Sequence, residues 1–477
     1  MASSPDISRT ESAPAACFWT RDRVADALAA RAAGSAPRGP ERFRAVSTDT
    51  RAIQPGDLFV ALAGERFDAH DFLPQAVEQG AAGLVVSRPE RGAGLGVPVY
   101  AVDDTLRALG DLARYRRAAW AKPVVAVAGS NGKTTTKELI RAALGGVLEV
   151  HATTGNLNNL VGVPLTLLAL PDDADIAVIE VGTNVPGEVA RLRDLVAPQI
   201  AVVTSVGEEH LEGLGSLEQI LAEESSVFEG VGVAVVPAAQ PEIGAAAAGK
   251  ARRVVAAGLD GGDLRTTRWG IGPDGLGWLE VDGITVRPPV RGAHNLRNAA
   301  LALAVARECG ISLEDAARGI AAMPQPSMRM AWESLGRATL INDAYNANPP
   351  SMRAALDLLT AMDGGRQRVA VLGTMRELGA HAERCHAELA RYALGTRADI
   401  VAGVGEMADA LRAQASGDAR VVIAPDVDEL WRALAPRLAP DAVILLKASR
   451  GMRLERIVPH IRRWAGVADD PGAGAAH

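Results

Sequence analysis

Val124-Val125-Ala126-Val127-Ala128-Gly129-Ser130-Asn131-Gly132-Lys133-Thr134-Thr135 reads as a buried strand, a glycine turn and the start of a helix. Five apolar residues without polar alternation suit a strand of a parallel sheet covered on both faces. The backbone N–H groups of such a turn, with the helix N-terminus behind it, cradle phosphate oxygens. Lys133 reaches the phosphates and Thr134 offers a hydroxyl to Mg²⁺. The whole run from Gly129 to Thr135 is therefore expected to bind the phosphates of ATP. One departure from the full pattern stands out: Val127 occupies the place of the expected glycine five residues before Gly132.

Lysine usage sharpens this reading. Of 50 basic residues only Lys122, Lys133, Lys137, Lys250 and Lys447 are lysine. A compact ammonium fits between two phosphates where a planar guanidinium is too broad. Lys133 is where such a residue is needed.

The chain has 477 residues, too many for one core. A hydrophobic content of 48% and a charged content of 22% are those of an ordinary globular protein. A net charge of −7 argues against a nucleic-acid binder working by general electrostatics. Cys17, Cys309 and Cys385 are far apart and odd in number, which predicts neither a disulfide framework nor a zinc site. A cytoplasmic location is expected. The polar run Met1 to Ala16 lacks an apolar core and is not expected to be a secretory signal, and no apolar stretch has the length of a membrane span. Both ends, Ser3 to Ala15 and Ala468 to His477, have the composition of disordered tails.

Three blocks follow from the alternation of patterns. Residues 1–120 mix short strands, Asp57 to Leu62 and Gly83 to Val86, with helices such as Asp104 to Trp120. Residues 121–325 carry strands at Val124–Ala128, Ile176–Val181, Ile200–Thr204 and Val233–Val236. Antiparallel hairpins are expected in Asp260–Pro289, and a helix at His294–Cys309. A break at Pro324-Gln325-Pro326 opens residues 326–477, with strands at Ala338–Asn342, Val369–Leu372, Ile400–Val404, Val421–Ile423 and Ala442–Leu446. The expected fold class is α/β in three domains: a small mixed α/β domain, a phosphate-loop domain on a mostly parallel sheet, and a doubly wound, Rossmann-like domain.

Polar clusters sit at strand ends, where α/β sheets bind ligands. Glu180 ends a strand and is a candidate ligand for Mg²⁺. His210, in Thr204-Ser205-Val206-Gly207-Glu208-Glu209-His210, can ligate a second metal or touch phosphate. Thr153, Thr154, Asn156 and Asn159 form a polar loop able to take substrate. Asn295 and Asn298 share one face of a helix start. Asp343 is placed for a ribose hydroxyl or a cation. Lys447 and Arg450 lie in a basic run suited to a carboxylate or phosphate. Cys385 and His386 read as ordinary helix residues.

In this order, these clusters resemble the Mur ligases of bacterial cell-wall synthesis, over roughly Val46 to Ile457. In the first block, Ser47-Thr48-Asp49-Thr50-Arg51, Pro55 to Leu62 and Gly64 to Phe72 are similar to that family's uridine-nucleotide domain. Thr50 stands where serine is usual and keeps the hydroxyl. Tyr345-Asn346-Ala347-Asn348-Pro349 is similar to the signature of the member that adds a dipeptide. No Asp-Asn-Pro-Arg run, typical of the diaminopimelate-adding member, occurs.

The resemblance implies an ATP-dependent ligase joining D-alanyl-D-alanine to UDP-N-acetylmuramoyl-tripeptide through an acyl phosphate, with two Mg²⁺ ions, as a monomer. It implies that Lys133, His210, Glu224 and Lys447 serve the reaction. Thr134, Glu180, His210 and Glu224 would hold metal, and Asn295, Asn298, Arg329 and Asp343 would hold the nucleotide. Asp49, Thr50 and Arg51, the 153–159 loop, Tyr345, Asn346, Asn348 and Arg450 would contact the substrates. Two alternatives stay open: the Mur ligase adding the third stem-peptide residue, and a non-catalytic ATP-binding homologue.

Glu224 marks a departure. Mur ligases commonly carry a carbamylated lysine there, and its carbamate holds the second Mg²⁺. Here the helix reads Ile220-Leu221-Ala222-Glu223-Glu224-Ser225, with no lysine between Lys137 and Lys250. The expectation is that Glu224 supplies the missing negative charge to the second metal.

Overall fold

A computed structural model of the chain describes residues 18–29, 40–64, 67–324, 331–362, 365–415 and 417–467. Arg329, the Glu65-Arg66 pair, the Gln325-Pro326 part of the expected boundary and both expected tails lie outside the described residues.

Two compact units are formed. The first comprises the described residues up to Ala121 and the returning segment Leu160–Leu170. Four of its strands, Val46–Ser47, Leu58–Val60, Gly83–Val86 and Val99–Ala101, pair in parallel. The helix Thr105–Trp120 starts where the Asp104 carboxylate accepts the N–H groups of Leu106 and Arg107. Such a cap stabilises a helix by about 1 kcal/mol. Leu109 and Leu112 bury one face of it with Phe43, Val60 and Tyr100. The segment Leu160–Leu170 joins this unit although it is distant in sequence; Leu165 and Leu168 pack on the same cluster.

The second unit contains two large sheets. In the nine-stranded sheet, Val124–Ala128 lies between Ile176–Glu180 and Ile200–Val203, all parallel. Register pairs Val127 with Glu180 on one side and Ala128 with Val203 on the other. The loop after Ala128 therefore emerges between Glu180 and Thr204. Every residue of Val124–Ala128 is fully buried, as the unbroken apolar run requires. The strands Leu264–Ile271, Gly277–Val281 and Ile284–Val286 form the expected antiparallel meander at one edge. Helices Lys133–Gly145 and Ala293–Glu308 contribute Leu139, Ile140, Leu296 and Leu301 to the core on this sheet.

The six-stranded sheet has the order Ala331–Leu335, Ala338–Asp343, Val443–Lys447, Arg368–Leu372, Ile400–Val404, Val421–Ala424. The last five are parallel, and Ala331–Leu335 is an antiparallel edge. Asp343 and Lys447 are register partners at the C-terminal ends of adjacent strands. Cys385 and His386 are buried in the helix Ala382–Gly395. Sequence reading missed Val46–Ser47, Val99–Ala101, Val150–Ala152, Arg253–Gly258 and Ala331–Leu335. Each is very short or only partly buried along its length, so none reads as a fully covered core strand.

Candidate active site

A cavity of about 670 Å³ opens over the phosphate loop, walled by the nine-stranded sheet's loops on one side and by Asp343, Tyr345, Asn346 and Lys447 on the other. Asn295, expected to meet the nucleotide from one block, and Asp343, expected from the other, line this same cavity.

Gly129 has φ +119°, and a Cβ there would lie 2.7 Å from the backbone nitrogen of Thr204, so only glycine lets the loop turn between the strands. Gly132 has φ +85° and packs against the Asn298 amide. Asn298 donates to Asn295 Oδ1 at 3.1 Å, and Asn295 donates to the Arg291 carbonyl at 2.9 Å. Both asparagines line the cavity as one hydrogen-bonded pair. The buried Nδ2 of Asn131 has no partner, a donor open to a ligand at the loop.

Lys133 Nζ donates to the carbonyls of Gly129 (2.5 Å) and Ser130 (3.3 Å) and lies 3.3 Å from Glu209 Oε1. Burial works against its charge, but Glu209, Glu224 and Glu180 outweigh that and hold the ammonium above its ordinary value. Glu209 was not singled out from the sequence. It is buried and is the counter-ion of the loop lysine.

Glu180 is 1% exposed. It accepts from Thr134 Oγ1 and from Asn158 Nδ2, each at 2.8 Å. Asn158 was passed over for its neighbours Asn156 and Asn159, yet it is the amide that holds Glu180. Buried Lys137 braces the same loop from below, donating to the carbonyls of Thr153 and Gly155. Thr153 is also buried; its hydroxyl accepts the Glu180 N–H at 2.9 Å, so it ties loop to strand and does not line the cavity. Thr154 is exposed and does not line the cavity either, whereas Asn156, Asn158 and Asn159 do.

Mg²⁺ takes oxygen ligands and usually shares them with waters and substrate phosphates. The Thr134 hydroxyl and Glu180 carboxylate, already in contact beside the loop, fit that chemistry. Among the described residues no group of three or more His, Cys, Asp or Glu side chains is gathered to hold a metal, so Glu180, His210 and Glu224 do not form one ligand cluster.

Glu224 is placed differently from the expectation. It is fully buried beneath the loop, and its Oε2 accepts the Gly129 N–H at 2.7 Å. It does not line the cavity. Burial pushes its carboxyl up to about 7, opposed by Lys133. The neighbouring Glu223 faces elsewhere and accepts from Thr183 Oγ1 and the N–H groups of Gly187 and Val189, capping the helix Glu188–Val196.

From the six-stranded sheet, Lys447 Nζ lies 2.5 Å from Asp343 Oδ2 and donates to the Asn346 carbonyl at 3.0 Å. Asn348, expected to touch substrate, instead caps the helix Pro349–Ala361, and its Nδ2 donates to Asn131 Oδ1 and Glu209 Oε2, both at 2.9 Å. Arg450 stacks over Tyr345, 5.2 Å from the ring centroid, and does not itself line the cavity. His294, another residue the sequence reading left aside, lines the cavity, and burial pushes its imidazole down to about 4.

Three Mur ligase profiles cover most of the chain: the family's catalytic domain over residues 42–117, its middle domain over 127–306 and its glutamate ligase domain over 328–450. The UDP-N-acetylmuramoyl-tripeptide–D-alanyl-D-alanine ligase of Bacillus subtilis is 36% identical, spanning 87% of this chain and 92% of its own length.

The chain belongs to the Mur ligase family.

Solved Mur ligase structures agree. MurF from Acinetobacter baumannii superposes with a TM-score of 0.86 at 31% identity, covering 93% of this chain and 99% of that one. MurF from Thermotoga maritima, solved in complex with ADP, superposes at 0.79 with 26% identity, covering 88% and 98%.

In the first unit of this Mur ligase, Asp49 caps the short turn Thr50–Ala52 and pairs with Arg51. The Arg51 guanidinium holds the Asp49 carboxyl below its usual range. Among the described residues no helix is long and apolar enough to cross a membrane.

Proposed function

We propose that this Mur ligase uses ATP to join D-alanyl-D-alanine to the terminal carboxylate of UDP-N-acetylmuramoyl-tripeptide, in the cytoplasm, as a step of peptidoglycan precursor synthesis. The observation that carries this reading is the cavity itself. A phosphate loop with its lysine, a buried carboxylate beside the loop hydroxyl, and a Lys447–Asp343 pair from the second sheet converge on one space. They do so in a chain that aligns along most of its length with dipeptide-adding ligases.

The chemistry has two displacements. A tripeptide carboxylate oxygen attacks the γ-phosphorus, and ADP leaves, giving an acyl phosphate. The dipeptide amine then attacks the acyl carbon; the amine loses a proton and phosphate leaves as the amide forms. Neither step needs a covalent enzyme intermediate, so alignment and charge neutralisation are the protein's tasks.

Lys133, freed from Glu209, neutralises the transferring phosphoryl group. Thr134 and Glu180 would hold a Mg²⁺ ion, which would supply positive charge against the phosphates, and Asn158 keeps Glu180 aimed. His210 serves the same centre, and Glu224 adds negative charge to it from beneath the loop. Asn295 and Asn298 hold the adenine side; Asp343 and Arg329 meet the nucleotide from the third block. Lys447 stands at the entry of the dipeptide. Asp49, Thr50 and Arg51 belong to the uridine-binding block, residues 1–120. Residues 121–325 hold ATP, and residues 326–477 close on the nucleotide and bring the dipeptide.

A coupled phosphate-release assay tests the proposal. Release must require ATP, the UDP-linked tripeptide and D-alanyl-D-alanine together. Release with the UDP-linked dipeptide and lysine or diaminopimelate would assign the third-residue activity instead. ATP binding without release under either condition would leave a non-catalytic homologue.

A further inference from the structure

Seven non-glycine residues have left-handed φ among the described residues. Ala29, Ala121, Ala197 and Arg453 end helical turns, and Asp282 turns a hairpin before Gly283, all ordinary places for that conformation. The remaining two are His210, φ 51°, and Glu377, φ 64°. They touch: His210 Nδ1 lies 2.5 Å from Glu377 Oε2. The backbone adds a second tie, since the Glu212 N–H donates to the Glu377 carbonyl at 3.1 Å. Strained backbone persists only where surrounding contacts over-determine it, and here the two strained residues hold each other.

The contact joins the two sheets' loops. His210 follows a strand of the nine-stranded sheet and lines the cavity. Glu377 follows the strand Arg368–Leu372 of the other sheet, is 60% exposed, and does not line the cavity. Adjacent residues are gripped in the same way. Arg384 reaches Glu208 at 2.7 Å and Asn348 reaches Glu209 at 2.9 Å. Three consecutive side chains, Glu208, Glu209 and His210, are thus each bound from the third block.

We propose that Glu377 is a positioning residue for His210: it accepts the Nδ1 proton and so turns a lone pair or proton on Nε2 toward the phosphate–cation centre. Nε2 already lies on that side, 3.8 Å from Glu209 Oε1. A carboxylate on one imidazole nitrogen sets the tautomer and ring angle of the other. Because Glu377 comes from the third block, His210 takes its working geometry only when that block is docked. The inference rests on His210 serving the phosphate centre, as proposed above.

Two measurements test it. The first is ¹⁵N imidazole NMR of the full chain above about pH 9, with His210→Asn identifying the signal. The wild type should carry the His210 proton on Nδ1. Glu377→Ala should move it to Nε2, and Glu377→Gln, which retains an acceptor oxygen, should restore Nδ1. The second is kinetics. Glu377→Ala should lower kcat about 10–100-fold, the scale for a residue supporting a site histidine. KM for the UDP-linked tripeptide should stay unchanged, and Glu377→Gln should recover to within a few-fold. In the His210→Asn background, Glu377→Ala should add no further loss.

An unmoved His210 proton in Glu377→Ala, an unchanged kcat, or an equal loss in the His210→Asn background would each overturn the proposal. Absence of dipeptide-dependent phosphate release in the wild type would overturn the functional reading instead, and the NMR result would still decide the role of Glu377.

Discussion

Replacing Glu224 by glutamine should stabilise the free enzyme at high pH and leave it almost unchanged at low pH. Glu224 is completely buried, and burial pushes its carboxyl from 4.5 up to about 7, with Glu209 adding to the rise and Lys133 and the Gly129 N–H opposing it. The direction of linkage follows. Below 4.5 both folded and unfolded chains hold the proton. Between 4.5 and about 7 the unfolded chain ionises while the folded one keeps its proton, so stability falls as pH rises. Above about 7 the loss is complete, and the interval corresponds to about 3 kcal/mol. Glutamine has no charge to desolvate and can still accept the Gly129 N–H.

The stability difference between Glu224→Gln and wild type should therefore grow from near zero at about pH 4 to about 3 kcal/mol at about pH 8. Denaturant titrations without nucleotide or divalent cations measure it, read as the difference at each pH so that other titrating groups cancel. A variant less stable than wild type at the higher pH, or a difference that ignores pH, would mean that Lys133 holds Glu224 ionised in the fold, and the reasoning would fail. Turnover should fall in the same variant, because the charge beneath the loop is gone.

Lys133→Arg should fold and melt like the wild type yet lose turnover by about a hundredfold or more, the scale of removing one preorganised charge donor; steady-state phosphate release checks it. Glu223→Ala should destabilise by about 2–4 kcal/mol, since two N–H groups at the start of the helix Glu188–Val196 lose their acceptor, while turnover per folded molecule changes little; thermal melts beside active-site titration separate the two effects. Gly129→Ala should cost about 2–3 kcal/mol and abolish nucleotide binding, because a Cβ would sit inside Thr204 at a φ that alanine avoids; calorimetry with ADP reads the binding.

Local chemistry made much of this protein legible in one dimension. The unbroken apolar run Val124–Ala128, the glycines after it and the ammonium at Lys133 required a buried parallel strand and a phosphate loop. Both are present, because strand burial and loop turning depend on residues a few positions apart. The paired asparagines Asn295 and Asn298 were legible for the same reason: helix spacing alone puts them on one face, and they hydrogen-bond there. Choosing between near neighbours was not legible. Glu223 and Glu224 are adjacent and identical, yet one caps a helix and the other holds the phosphate loop 95 residues away. Asn158, which the sequence reading passed over, meets Glu180, and Asn348 meets the phosphate loop rather than lying free for substrate. Sequence carries which groups are available over a turn or two of chain. Only the sheet order, which brings the ends of distant strands within hydrogen-bond reach, decides which of several equivalent carboxylates and amides points at which partner.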